Sequence, residues 1–114
     1  MDKPNRRQAV RDYKERKVEI GIFAVRCAAT GQAWVGGSRD LAKQQNRIWF
    51  GLKSGGHPNK ALQAVWSAHG EPAFRFEVLE AKPVEDLSDY EQANLLKDRD
   101  AHWRAELGAA RIVG

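Results

Sequence analysis

The period of the apolar positions changes several times along the chain, and each change marks an element. Val18 to Arg26 is apolar on both alternating faces, with Ile20, Ile22 and Ala24 on one side and Phe23 and Val25 on the other. A run apolar on both sides predicts a central strand covered twice. Gln32 to Gly36 predicts its hairpin partner, with Gly31 in the turn available for positive φ. From about Asp40 to Lys53 the period lengthens to that of a helix. Leu41, Ile48, Trp49 and Leu52 form its stripe, with Gln44 and Gln45 on the same side. Ser38 is the expected N-cap, and Ser54-Gly55-Gly56 the stop. Pro58 or Asn59 opens a second helix that packs through Leu62, Val65 and Trp66 and closes at Gly70. Phe74 to Glu80 alternates again, predicting a third strand with Phe74, Phe76 and Val78 inward. Beyond Pro83, a helix from about Ser88 to Leu107 packs through Leu95, Leu96, Trp103 and Leu107.

These elements imply an α+β fold, a small three-stranded, mainly antiparallel sheet flanked by helices. Ahead of it, Asn5 to Lys17 reads as a basic helix. The expected division is therefore an arm at 1–17 and a domain at 18–114. A glycine inside each hairpin strand, Gly21 and Gly36, weakens a strand unless another group approaches its backbone closely. A groove over the hairpin would be one such reason.

Charge adds direction to this picture. Residues 1–60 hold thirteen Lys/Arg against five Asp/Glu (+8), and residues 61–114 hold six against ten (−4). A basic front half suits a polyanion such as nucleic acid. Arg6, Arg7, Arg11, Arg39, Lys43, Arg47, Lys53 and Lys60 are the candidate phosphate contacts. No apolar run approaches the roughly 20 residues of a membrane span, and the charged start argues against a secretory signal. The lone Cys27 excludes an internal disulfide and suits a reducing cytoplasm. His69 and His102 lack partners at metal-ligand spacing, which argues against zinc.

Gly21-Ile22-Phe23 and Trp34-Val35-Gly36 on adjacent strands resemble the two name motifs of the GIY-YIG nuclease superfamily. The likeness runs on through Gly36-Gly37-Ser38, Asp40-Leu41, Gly55-Gly56-His57-Pro58-Asn59 and Trp66 to Phe74–Glu80. It implies a GIY-YIG-like fold, closest in pattern to phage and homing-type domains. It also implies an endonuclease site of two tyrosines, an arginine on the next helix and a metal-binding glutamate.

Carried over by position, the tyrosines become Phe23 and Trp34 and the arginine becomes Gln44. Glu91 falls at the metal position, and His57 where some members carry histidine. Phenylalanine neither holds nor passes a proton, and an indole donates without accepting. Glutamine lacks the guanidinium fork. The leading expectation is a nucleic-acid-binding domain, DNA favoured over RNA, with weak or absent cleavage. A second reading is a divergent endonuclease using one Mg²⁺ or Mn²⁺ on Glu91, helped by Arg47 and His57. A third is a protein-interaction scaffold presenting Trp34 and Trp49. Glu91 has a competing role, since Ser88-Asp89-Tyr90-Glu91 is a capping box. Trp34 is the candidate for base or sugar contact, whereas Phe50 and Trp66 are expected in the core.

Overall fold

The computed structural model describes residues 18–112, so the basic arm with Arg6, Arg7 and Arg11 lies outside the described residues. The elements are β1 (Glu19–Cys27), β2 (Ala33–Ser38), α1 (Leu41–Ser54), α2 (Lys60–His69), β3 (Phe74–Pro83), α3 (Asp89–Leu107) and β4 (Ala110–Arg111). Strand order is β3-β1-β2-β4. β1 pairs antiparallel with β2 and β3, and β4 runs parallel to β2 through Trp34↔Ala110 and Val35↔Arg111. The sheet is thus mixed and four-stranded, one short strand more than the sequence pattern predicted. Among the described residues no helix is long and apolar enough to cross a membrane.

β1 is central, and its alternation divides the core as expected. Phe23, Val25 and Cys27 join Trp34, Leu41, Ile48, Trp49, Leu52, Leu62 and Trp66 under α1 and α2. Ile22 and Ala24 join Val35 on the other face, packed by Leu96, Trp103 and Leu107 of α3. Leu95 is only half-buried and stands outside that cluster. Full burial of one large apolar side chain contributes roughly 1.5–3 kcal/mol, so the two sheet faces carry much of the stability.

The α1 stripe is as the period predicted, but Phe50 is not core: it is 74% exposed, one position past the buried Ile48–Trp49 pair. Asp40 takes the N-cap position of α1 without a side-chain bond, and Ser38 ends β2. Its hydroxyl instead accepts the Asp40 N–H at 3.0 Å, closing the turn between strand and helix. Asn59 does cap α2, accepting from the Leu62 N–H at 3.0 Å. Glu91 and Ser88 form the reciprocal capping box of α3, with bonds of 2.8 and 3.1 Å.

The β1–β3 register slips between Ile22↔Glu80 and Phe23↔Val78, leaving Leu79 as the extra residue of a bulge. Leu79 turns toward the α3 layer, and Val78, expected inward, is 48% exposed on the outer strand. The bulge also explains Gly21. A Cβ there would lie 1.8 Å from the Glu80 carbonyl oxygen, so the neighbouring backbone, not a groove, requires glycine. Beside the bulge, the Glu80 carboxylate accepts from Trp103 Nε1 at 2.8 Å and from Arg99 Nε at 2.9 and 3.1 Å, tying β3 to α3. Burial works to raise its pKa, but the indole and guanidinium donors outweigh it, and the group lies below its ordinary value.

Three outcomes follow, two at this bulge and one at the β1–β2 turn. Gly21→Ala will cost about 3 kcal/mol through overpacking against rigid backbone, read as the shift of a urea midpoint. Gly31→Ala, at a φ of 77° with open space around it, will cost about 1 kcal/mol. Because the Glu80 pKa is depressed, its stabilisation is full above the ordinary carboxylate range and is lost as pH falls through the folded value. Glu80→Gln will therefore be less stable than wild type at pH 7, and the gap will narrow in acid; a pH series of thermal melts checks it.

Candidate functional site

β1 is covered on both faces, and the largest open space among the described residues lies past the edge of β2. β4 pairs with Trp34 and Val35 only. Beyond them a groove of about 900 Å³ opens between β2, α1, the His57–Pro58 loop, α3 and the C-terminal segment. Phe23 and Ile48 form part of its apolar floor, both buried. Phe23 faces Gly36 across the hairpin and stacks on Phe76 at 5.2 Å. Gly36 is glycine because a Cβ would sit 2.4 Å from Ile112 Cγ2 and 3.0 Å from Phe23 Cζ. The expectation of a close approach was right here, and the approaching group is the chain's own Ile112.

The walls are cationic. Arg39, Arg47, Lys97, Arg104 and Arg111 line the groove against one acid, Asp100. Arg39 is held to α3 by its 2.7 Å bond to Gln92 Oε1. Arg47 stands beside Gln44 on the same wall. The structure therefore brings Phe23, Gln44, Arg47, His57 and Arg39 together, as their positions in sequence suggested. It leaves out the others. Trp34 is 2% exposed, stacked near Phe74, and does not line the groove. Glu91 lies off the groove with its carboxylate in the capping box. Lys43 and Lys60 are exposed elsewhere, and Lys53 pairs with Glu71 at 3.4 Å. Trp49 is buried edge-on to Trp66, so Trp34 and Trp49 form no exposed face.

His57 is buried to 9% exposure. Its Nδ1 accepts the Asn59 backbone N–H at 3.0 Å. That bond assigns the neutral ring's proton to Nε2, making the group a donor rather than a base. The His57 backbone N–H donates to Gln63 Oε1 at 3.1 Å, which fixes the loop onto α2. Burial holds the His57 pKa below the usual histidine value.

The residue that the sequence reading missed is Asp100. It is 7% exposed, with Oδ2 at 3.3 Å from Arg104 Nε and 3.9 Å from Arg111 Nε. Oδ1 is buried and has no hydrogen-bond partner among the described residues. A buried carboxylate oxygen without a partner is costly and calls for an explanation. Its signal was present: positions 96, 100, 103 and 107 share one helical face, so Asp100 interrupts the apolar stripe of α3. Arg111 and Ile112 were also missed. They are set by Ile112 N–H to Val35 O at 2.9 Å and by Asn59 Nδ2 to Arg111 O and Ile112 O at 3.2 and 2.9 Å.

The depressed His57 pKa has a definite sign in stability. The unfolded chain takes up the proton first, so stability is lost as pH falls through the ordinary histidine range toward the folded value. Denaturation midpoints measured from pH 7.5 to 5 will fall more steeply for wild type than for His57→Gln. Parallel slopes would show that burial of this ring is not what titrates.

Among solved structures, the chain is similar to the catalytic domain of the homing endonuclease I-TevI. The TM-score is 0.68 at 24% identity, over 83% of this chain and 99% of that one. A Glu-to-Ala variant of the catalytic domain of the intron endonuclease I-TevI matches with a TM-score of 0.65 at 27% identity, over 79% and 84%. No family model matches the chain, and no curated protein does. With the mixed sheet, the flanking helices and the hairpin motifs in register, the chain has the GIY-YIG-like fold.

Proposed function

We propose that this domain binds nucleic acid, DNA before RNA, through strand phosphates in the groove, and that it hydrolyses them slowly or not at all. The observation that carries this reading is the groove's composition: five Arg/Lys, one acid and a buried histidine N–H donor. Such a surface neutralises phosphates and makes binding depend steeply on salt. The preference for DNA rests on the likeness to a homing endonuclease domain. The weak chemistry rests on the groove's lack of a phenol or a free imidazole base: its one carboxylate, Asp100, is buried and paired with Arg104 and Arg111. Phe23 has no proton to exchange, the neutral His57 presents a donor, and Tyr90 is exposed away from the groove. In-line attack on a phosphodiester needs a group that activates water, and general-base assistance is typically 10²–10⁴-fold.

Beside Glu91, Asp100 is a second carboxylate to which a divalent cation could be assigned, and it lines the groove itself. Mg²⁺ is commonly held by one or two carboxylates with water and substrate phosphate completing its shell. The Asp100 Oδ1 is unpartnered among the described residues but buried, so the side chain would turn toward the groove to offer that oxygen. Bound there, the ion would offset phosphate charge; the chain's own part is to orient the strand with its arginines. That orphaned oxygen also favours a second reading, a divergent metal-dependent endonuclease.

Incubation of the protein with labelled single-stranded, duplex and branched DNA, in Mg²⁺, Mn²⁺ or EDTA, separates the two. Retarded but intact DNA in every condition is expected. Cleavage that needs metal and disappears in Asp100→Ala while surviving in Glu91→Ala would establish the endonuclease instead. DNA that is neither shifted nor cut at low salt would overturn both.

A further inference from the structure

We infer that Arg111 is the principal phosphate-contacting guanidinium of the groove, so that the C-terminal segment is a wall of the site. The inference rests on the nucleic-acid-binding reading and adds the residue that makes the contact.

The groove's cations are not equivalent. Arg39 is held by Gln92, and Arg104 is held by Asp100 from one helical turn away at 3.3 Å. Arg111 combines two properties. Its backbone is fixed on both sides, by pairing of β4 with Val35, by Asn59 Nδ2 on its carbonyl, and by the fully buried Ile112 that follows. Its side chain is 62% exposed, and its Nε stands at a loose 3.9 Å from Asp100 Oδ2. A fixed stem with a free head loses little entropy when the head is captured, so the contact forms at low cost.

Position points the same way. Arg111 is the second cation at the buried carboxylate, facing α1 across the groove. Because Arg104 already partners Oδ2, Arg111 is the arginine that can turn away to an incoming phosphate without stripping Asp100 of its ion pair. Arg47 and Lys97 also line the groove, from helix positions that make no ion pair with Asp100 among the described residues.

The test is a salt titration of binding to a fluorescent duplex of defined length, for wild type, Arg111→Gln, Arg111→Lys and Arg75→Gln. Arg75 is exposed outside the groove, so its variant makes the same charge change elsewhere. Arg111→Gln is expected to weaken binding about tenfold near 0.1 M salt and to lower the slope of log K against log salt by about one. Arg75→Gln is expected to stay within about twofold. Arg111→Lys, which keeps the charge if the glutamine variant melts early, is expected to keep the slope while losing affinity two- to threefold. Wild-type binding with both Arg111 variants indistinguishable from Arg75→Gln would overturn this inference and leave the binding reading standing. Absence of wild-type binding at low salt would remove the reading itself.

Discussion

Burial of β1 on both faces decides where this protein can have a site at all. Ile20 through Val25 are all buried, Phe23 and Val25 under α1 and α2 and Ile22 and Ala24 under α3. A central strand so covered offers no solvated face. On the β3 side, the bulge, Glu77 paired with Arg26 and Glu80 clamped by α3 spend the polar groups on structure. The largest opening among the described residues lies at the edge of β2, because β4 is too short to cover it. The groove is therefore a consequence of strand length: β4 pairs with two of the six β2 residues and leaves Gly36 and Gly37 on the floor.

Within that opening, Asp100 sets the electrostatic problem. A single buried carboxylate among five cations is half satisfied, one oxygen by arginines and the other by nothing described. Had stability alone been at stake, an apolar residue on that helical face would serve better, since isolated buried charge is expensive. Its retention beside a cationic opening is what connects the packing of α3 to chemistry. The same helix supplies Leu96 to the core, so a group bound at Asp100 would be positioned by the core itself.

The fold was largely legible because it is written in local period. The two-sided apolar run of β1, the stripe Leu41–Ile48–Trp49–Leu52, the Asn59 cap and the Ser88–Glu91 box each act within a few residues. What failed to show depended on tertiary geometry. The bulge at Leu79 turns Glu80 as well as Leu79 toward α3, and no alternation count contains an extra residue; Val78 keeps the facing of Phe76 but lies where that face is open. Phe50 lies next to two buried positions yet points to solvent, a difference of one helical step. The site was harder still. Family position led to Glu91 and Trp34, but the capping box engages the first and the core buries the second. Asp100 was visible as an acid on an apolar stripe, whereas Arg111 depends on a two-residue strand with almost no pattern to read.

The phenylalanine at position 23 is also matched by its surroundings. The Phe23 ring is stacked on Phe76, and its Cζ and the Ile112 methyl crowd the same point above Gly36. That end of the floor is apolar from three elements at once, β1, β3 and the C-terminal segment. A hydroxyl on the ring would enter a contact built to exclude water, where an unpartnered polar group is penalised rather than activated. Ile112 also seats the backbone that carries Arg111. One residue thus fills the space beside a ring that does no proton chemistry and anchors the arginine best placed to hold a phosphate. Packing is then continuous from the apolar floor of the groove to its cationic wall.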